Sequence, residues 1–312
     1  MFTKNRTVTK ALDHVSFQVT EGETLGIVGE SGCGKSTLGK SVMRLTEPTT
    51  GSIQFKGQEL TCLKEREMRA LREDIQMIFQ DPYASLNPRM KIKDILEEPL
   101  IVHKRGTKAE RKQMVQDMLQ TVGFDASYGD RYAHQFSGGQ RQRIGIARAL
   151  ITKPSLVIAD EPVSALDVSV QAQILNLMLD LQKTLSLTYL FISHDLGVVR
   201  YMSDRIAVMY AGKMVELGLA EEVFHRPLHP YTTLLLRSIP QMDQVMDRQD
   251  LSQEEADDDV AHAGCPFYKR CPQRKSICQT SIPSLRLKES SHFVACYLYH
   301  EEETNEEDMV VQ

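Results

Sequence analysis

No stretch of this 312-residue chain approaches the roughly 20 consecutive apolar residues that a membrane-crossing helix needs. Its first ten residues, MFTKNRTVTK, lack the apolar core of a secretory signal. The two absences together make the cytoplasm the expected location. Cysteine is sparse, with six residues, and in a cytoplasmic chain this argues against structural disulfides and leaves reduced thiols or metal ligands. There is no internal repeat, and low complexity is confined to two acidic stretches. Residues 243–259 hold eight acids against one Arg and residues 301–312 hold six acids and no base, so a total charge of -5 conceals a body of +8. A mildly basic body suits a nucleotide or an anionic surface, although solubility alone accounts for most such imbalances.

What is present is an alternation of apolar β-rich runs and helical patterns. TLGIVG at 24–29, IQMIF at 75–79, LVIAD at 156–160 and TYLFIS at 188–193 are short, apolar and bounded by turns. Separated by helical segments, they predict an α/β fold with a mainly parallel sheet buried under helices. Roughly residues 91–152 carry little strand signal and a helical period, which predicts a helical subdomain inserted in the sheet. The pattern changes after residue 218. A nucleotide-binding domain is expected over 1–240, an acidic linker over 241–263, a cysteine-rich region over 264–300 and an acidic tail over 301–312.

GESGCGKS, Gly29 to Ser36, lies between the strand TLGIV and the helix STLGKSVMRL, and satisfies G-x-x-x-x-G-K-[ST] in the strand–loop–helix context of a P-loop. Glycines at 29, 32 and 34 let backbone N–H groups turn inward around phosphate oxygens, and the helix N-terminus adds partial positive charge. Gly29, Ser31, Gly32, Cys33, Gly34, Lys35, Ser36 and Thr37 are therefore the expected nucleotide-binding set, with Lys35 on the β/γ-phosphates and the Ser36 hydroxyl on Mg²⁺. The same helix N-terminus is expected to favour the thiolate of Cys33. LVIAD ends in Asp160 followed by Glu161, at a strand C-terminus where ligands bind in open α/β sheets. Asp160 is expected to anchor the Mg²⁺ shell and Glu161 to polarise the attacking water. Gln80 in IFQDP and His194 in LFISHDLG also close apolar strands, but spacing alone gives neither a role.

A second glycine turn opens a helix in HQFSGGQRQRIGIARAL, residues 134–150. Read alone, it is either another anion seat or an ordinary helix start with Ser137 as N-cap and Gln140 at N3. Taken in order, GESGCGKS, Gln80, SGGQ at 137–140, ADE ending at Glu161, SALD at 164–167 and His194 make the chain similar to ATP-binding subunits of ABC transporters over nearly its whole length. The resemblance implies a Walker A loop, a Q-loop, a signature, a Walker B end, a D-loop with Asp167, and a switch histidine. It implies ATP and Mg²⁺ as ligands, Ser36, Gln80 and Asp160 around the metal, and Glu161, His194 and Gln80 as catalytic residues. Two cassettes then face each other, and Ser137, Gly138, Gly139 and Gln140 serve the nucleotide held by the partner.

HPYTTLLLRSIP at 229–240 and GCPFYKRCPQRKSIC at 264–278 resemble the tail of dipeptide, oligopeptide and nickel importers. The resemblance favours oligopeptides or dipeptides as cargo, with nickel second. It implies a second, related cassette, two transmembrane permease subunits, an extracytoplasmic substrate-binding protein and no nucleic acid, with the chain peripheral on the cytoplasmic face of the cell membrane. Soluble ABC-type ATPases acting on nucleic acid or ribosomes are a further class, but those carry paired cassettes or coiled-coil inserts that this chain does not show. A redox regulator with a vestigial ATPase conflicts with the intact Lys35, Asp160, Glu161 and His194. Cys265, Cys271, Cys278 and Cys296 are spaced C-x5-C-x6-C-x17-C; four thiolates suit zinc or a [4Fe–4S] cluster, but structural zinc usually takes closer pairs, and reduced thiols in a packed tail are the third reading. Some members of the peptide branch bear such a cluster. Members also usually begin with a strand followed by an adenine-stacking aromatic, which this sequence starts too late to include; Phe2 is a poor substitute and Phe17 reads as strand core.

Overall fold

A computed structural model describes residues 10–238 and 263–300. The acidic tail, Phe2 and the acidic linker, apart from its last residue, lie outside the described residues. The strands are β1 (Thr24–Val28), β2 (Gln54–Phe55), β3 (Gln58–Glu59), β4 (Ile75–Ile78), β5 (Leu156–Asp160), β6 (Thr188–Ser193), β7 (Arg205–Tyr210), β8 (Lys213–Leu219), β9 (Arg286–Glu289) and β10 (His292–Val294). The helices are α1 (Lys35–Val42), α2 (Glu65–Leu71), α3 (Pro82–Ser85), α4 (Ile92–Val102), α5 (Lys108–Thr121), α6 (Gly138–Leu150), α7 (Val168–Leu185), α8 (Leu196–Met202), α9 (Ala220–His225) and α10 (Pro230–Arg237). The described residues form two compact units: one of 19–25 and 38–193, the other of 10–18, 26–37, 194–238 and 263–300. The chain passes from one to the other within β1 and within α1.

In the first unit β4, β5 and β6 are parallel, with Ile75 opposite Leu156 and Leu156 opposite Thr188. Val157, Ile158, Ala159, Tyr189, Phe191 and Ile192 are fully buried, which is why these strands read as continuous apolar runs and not as alternating ones. Each of the Val, Ile and Phe side chains among them contributes about 1.5–3 kcal/mol by leaving water. The stretch expected to be helical holds α4, α5 and α6, and its only strand-like feature among the described residues is an isolated bridge between Lys91 and Tyr132. Ile92, Ile95, Leu96 and Leu100 are buried along one stripe of α4, the i, i+3, i+4, i+8 spacing of an amphipathic helix.

In the second unit β7, β8, β10 and β9 pair antiparallel. β7 runs beside β8, with Arg205 opposite Leu219, and β10 adds to the other edge of β8, with Phe293 opposite Leu217. β9 closes a hairpin on β10. The cysteine-bearing tail thus extends a sheet. Glu216, fully buried in the middle of β8, accepts the N–H groups of Leu228 (2.9 Å) and His229 (2.8 Å) and lies 2.7 Å from Nε2 of His292, so one carboxylate ties β8, β10 and the approach to α10 together. Pro230 then starts α10, where its missing N–H is harmless. Phe17 is half-buried in a segment outside any strand, which corrects its reading as strand core. Among the described residues no helix is long and apolar enough to cross a membrane.

Candidate nucleotide-binding site

The glycine-rich loop belongs wholly to the second unit and runs from the end of β1 into α1. Its tightness is set by contacts that leave no room for a side chain. A Cβ at Gly29 would overlap the carbonyl oxygen of Met209, and one at Gly34, where φ is +106°, would overlap that of Ala11. Lys35 is only 4% exposed, and its ammonium donates to the carbonyl oxygens of Gly29 (2.7 Å) and Glu30 (2.9 Å). The loop thereby stores a cation at its centre. Ser31 and Gly32 are exposed, whereas Ser36 and Thr37 lie half-buried in the first turn of α1, where backbone N–H groups have no helical acceptor. Cys33 donates no stabilised anion: the thiol is 6% exposed, and burial pushes its pKa up against the weaker opposing pull of Lys35. This corrects the expectation of a thiolate, because desolvation outweighs the pull of Lys35 and the backbone N–H groups.

Glu30, to which the sequence alone gives no role, is held on three sides. Its N–H donates to the Tyr231 hydroxyl (2.9 Å), its carbonyl accepts from Lys35, and its carboxylate takes both arms of the Arg270 guanidinium at 2.9 Å each. Tyr231 and Arg270 lie in HPYTTLLLRSIP and GCPFYKRCPQRKSIC, the stretches that resemble the importer tail, but the resemblance gives neither of them a role at the phosphate loop.

In the first unit Asp160 is buried at the end of β5, and Glu161 follows with φ +46°, a left-handed conformation uncommon for a residue with a side chain. Its N–H donates to the carbonyl of Ile192 (2.9 Å), and the Ser164 hydroxyl donates to its carbonyl (3.1 Å), so the neighbouring strand and turn enforce the strain. The fold brings Gln80 to it: the Gln80 amide donates to the Glu161 carboxylate (3.1 Å) and lies 3.4 Å from the Ser164 hydroxyl. A carboxylate so oriented can accept a proton from water. Asp167 is the exposed N-cap of α7, without a side-chain cap bond. His194, in the other unit, is exposed just past β6.

The start of α6 combines both readings of the SGGQ turn. The Ser137 hydroxyl accepts the Gln140 N–H (3.4 Å) and the Gln140 side chain accepts the Ser137 N–H (3.0 Å), a reciprocal capping box. Gly138 and Gly139 begin the helix with their N–H groups at its positive end. A Cβ on Gly139 would overlap Val170 of α7, and Arg141 stacks 4.2 Å from the centre of the Tyr83 ring.

The four late cysteines are all free. Burial pushes the Cys265 and Cys296 thiols up to about 11 and raises that of Cys271, so these three are protonated at neutral pH. Among the described residues no three His, Cys, Asp or Glu side chains are gathered so as to hold a metal ion. The [4Fe–4S] and zinc expectations therefore find no support in the arrangement of these thiols.

The sequence matches the ABC transporter family over residues 12–164 and the C-terminal region of oligopeptide/dipeptide transporters over residues 215–278. It is 54% identical over 295 residues to the oligopeptide transport ATP-binding protein AppF of Bacillus subtilis, covering 93% of this chain and 90% of that one. It is 55% identical over 255 residues to OppF of the same organism, another oligopeptide transport ATP-binding protein, covering 81% and 84%. Among solved structures, a dimeric post-hydrolysis state of the ATP-binding cassette MJ0796, bound to ADP and Pi, superposes with a TM-score of 0.63 at 30% identity, covering 70% of this chain and 94% of that one.

Proposed function

Because this chain belongs to the ATP-binding subunits of ABC transporters, we propose that it hydrolyses ATP to power the import of oligopeptides or dipeptides. The observation that carries this reading is the phosphate loop with its buried, carbonyl-tethered Lys35, in a chain whose relatives over nine-tenths of its length are oligopeptide transport ATP-binding proteins. Nickel as cargo is not favoured by those relatives.

In this reading the N–H groups of Gly29, Ser31, Gly32, Cys33, Gly34 and Thr37 surround the phosphates, and Lys35 exchanges its loop carbonyls for phosphate oxygens. Ser36, Asp160 and Gln80 would hold Mg²⁺; hydroxyl, carboxylate and amide oxygens are the hard donors this ion selects, and when bound it neutralises phosphate charge. Glu161 accepts the proton of the attacking water, held in place by Gln80 and Ser164, and His194 assists at the phosphate end. Ser137, Gly138, Gly139 and Gln140, with Asp167 beside them, complete the site of a partner cassette. The nucleotide-binding domain spans 1–240. Two permease subunits, a related second cassette and an extracytoplasmic binding protein make up the assembly, with this chain peripheral on its cytoplasmic face. A [4Fe–4S] cluster would require Cys265, Cys271, Cys278 and Cys296 to close together from the arrangement found here; iron and acid-labile sulfide in anaerobically purified protein would establish it.

Glu161→Gln tests the assignment. The variant is expected to dimerise with ATP while turnover falls at least about 100-fold; hydrolysis at the unaltered rate removes Glu161 from its role.

A further inference from the structure

The phosphate loop carries a carboxylate that phosphate binding does not need. Glu30 sits between Gly29 and Ser31, in a loop whose other work is to attract anions, and an uncompensated negative charge there repels the incoming triphosphate. Its charge is met from 240 residues away. Arg270 lies in the short turn Tyr268–Arg270, between Cys265 and Cys271, and grips both carboxylate oxygens in the fork geometry that fixes direction as well as distance.

Arg270 is itself held. Phe267, three residues earlier, is buried with its ring centre 5.3 Å from that of Tyr210 and 5.5 Å from that of Tyr231, and the guanidinium lies 5.7 Å from the Phe267 ring centre. Tyr231, fully buried at the start of α10, delivers its hydroxyl to the Glu30 N–H. The third polar group of residue 30, its carbonyl, receives Lys35. The same residue that tethers the phosphate-seeking lysine is thus clamped by two side chains of the C-terminal part of the unit.

We propose that Arg270 is a positioning residue for the nucleotide site, neutralising Glu30 and pinning the phosphate loop in its binding shape from the cysteine-bearing region. This rests on the reading that the loop at Gly29–Thr37 holds the nucleotide's phosphates. Arg270 touches no phosphate in this scheme; it acts through Glu30, so its loss exposes a harmful charge that a second substitution can remove.

The test is ATP affinity by equilibrium titration, with KM and kcat, in the full chain. Arg270→Ala is expected to weaken ATP binding about tenfold and to raise KM alike, with kcat within about twofold. Adding Glu30→Gln is expected to restore affinity to within about threefold of the unaltered chain, a recovery that a merely structural role for Arg270 does not give. Arg270→Lys keeps the charge and loses the fork; it reads the same coupling in a gentler variant, with a loss of about threefold that Glu30→Gln also abolishes. Unaltered affinity in both Arg270 variants, or a loss that Glu30→Gln fails to reverse, overturns the inference. Lys35→Ala separates the two levels. If it abolishes binding while the Arg270 variants bind normally, the nucleotide site stands and the clamp falls; if the unaltered chain binds no ATP, both fall.

Discussion

His229 is 2% exposed, caps α10 by accepting the Tyr231 N–H at Nδ1 (3.0 Å), and has its pKa pushed down to about 4 by burial, against the weaker pull of Glu216. Its folded pKa lies below the ordinary 6.5, so the unfolded chain takes up the proton first as pH falls. The neutral ring's contribution is complete above pH 6.5 and is lost progressively toward pH 4, by about 3 kcal/mol in all. His229→Asn keeps a capping acceptor and removes the titration. Denaturant titrations at pH 7 and pH 4 are expected to show the unaltered chain losing about 3 kcal/mol more than the variant; parallel losses contradict the assignment. The same desolvation governs the thiols. Cys62 is exposed, whereas Cys33 is buried with a raised pKa, so maleimide at pH 8 should label Cys62 at least about tenfold faster in the folded chain, as peptide mass spectrometry would read, and equally once the chain is denatured.

At the scale of elements, α6 depends on its first turn. Removing the Ser137 hydroxyl takes away one half of the capping box, and Ser137→Ala is expected to lower stability by about 1 kcal/mol. Gly139→Ala asks more, because even a methyl group meets Val170 and forces the start of α6 away from α7; about 1–3 kcal/mol of stability should go with it, measured by urea unfolding. β5 and β6 were legible to the residue and β1 and β4 to within one, because a strand covered on both faces is an uninterrupted apolar run. β8 was not, since Glu216 breaks its pattern, and only the folded chain supplies the three donors that make a buried carboxylate tolerable there. β9 is exposed throughout and leaves no apolar signature, its partner β10 being three residues long.

For the whole molecule, the motifs were readable because phosphate chemistry fixes residue types at short spacing, as in GESGCGKS. Contacts such as Glu30 to Arg270 were not, because nothing local announces a pair so far apart in the chain. The same limit bears on the SGGQ turn, whose use by a neighbour is a matter of assembly. If the turn serves a partner cassette, Lys35 and Ser137 of one chain belong to different nucleotides. In an assembly pairing this chain with a different cassette, Lys35→Ala then disables the site built on this chain's loop, and Ser137→Arg disables the site built on the mate's. Each single variant is expected to retain one of two ATP molecules that resist exchange with unlabelled ATP under arrested hydrolysis, and the double variant none. Were the turn to serve its own loop, both substitutions would strike one site and the double variant would retain as much as either single one. Loss in the double variant beyond the singles is therefore the mark of a nucleotide shared between chains.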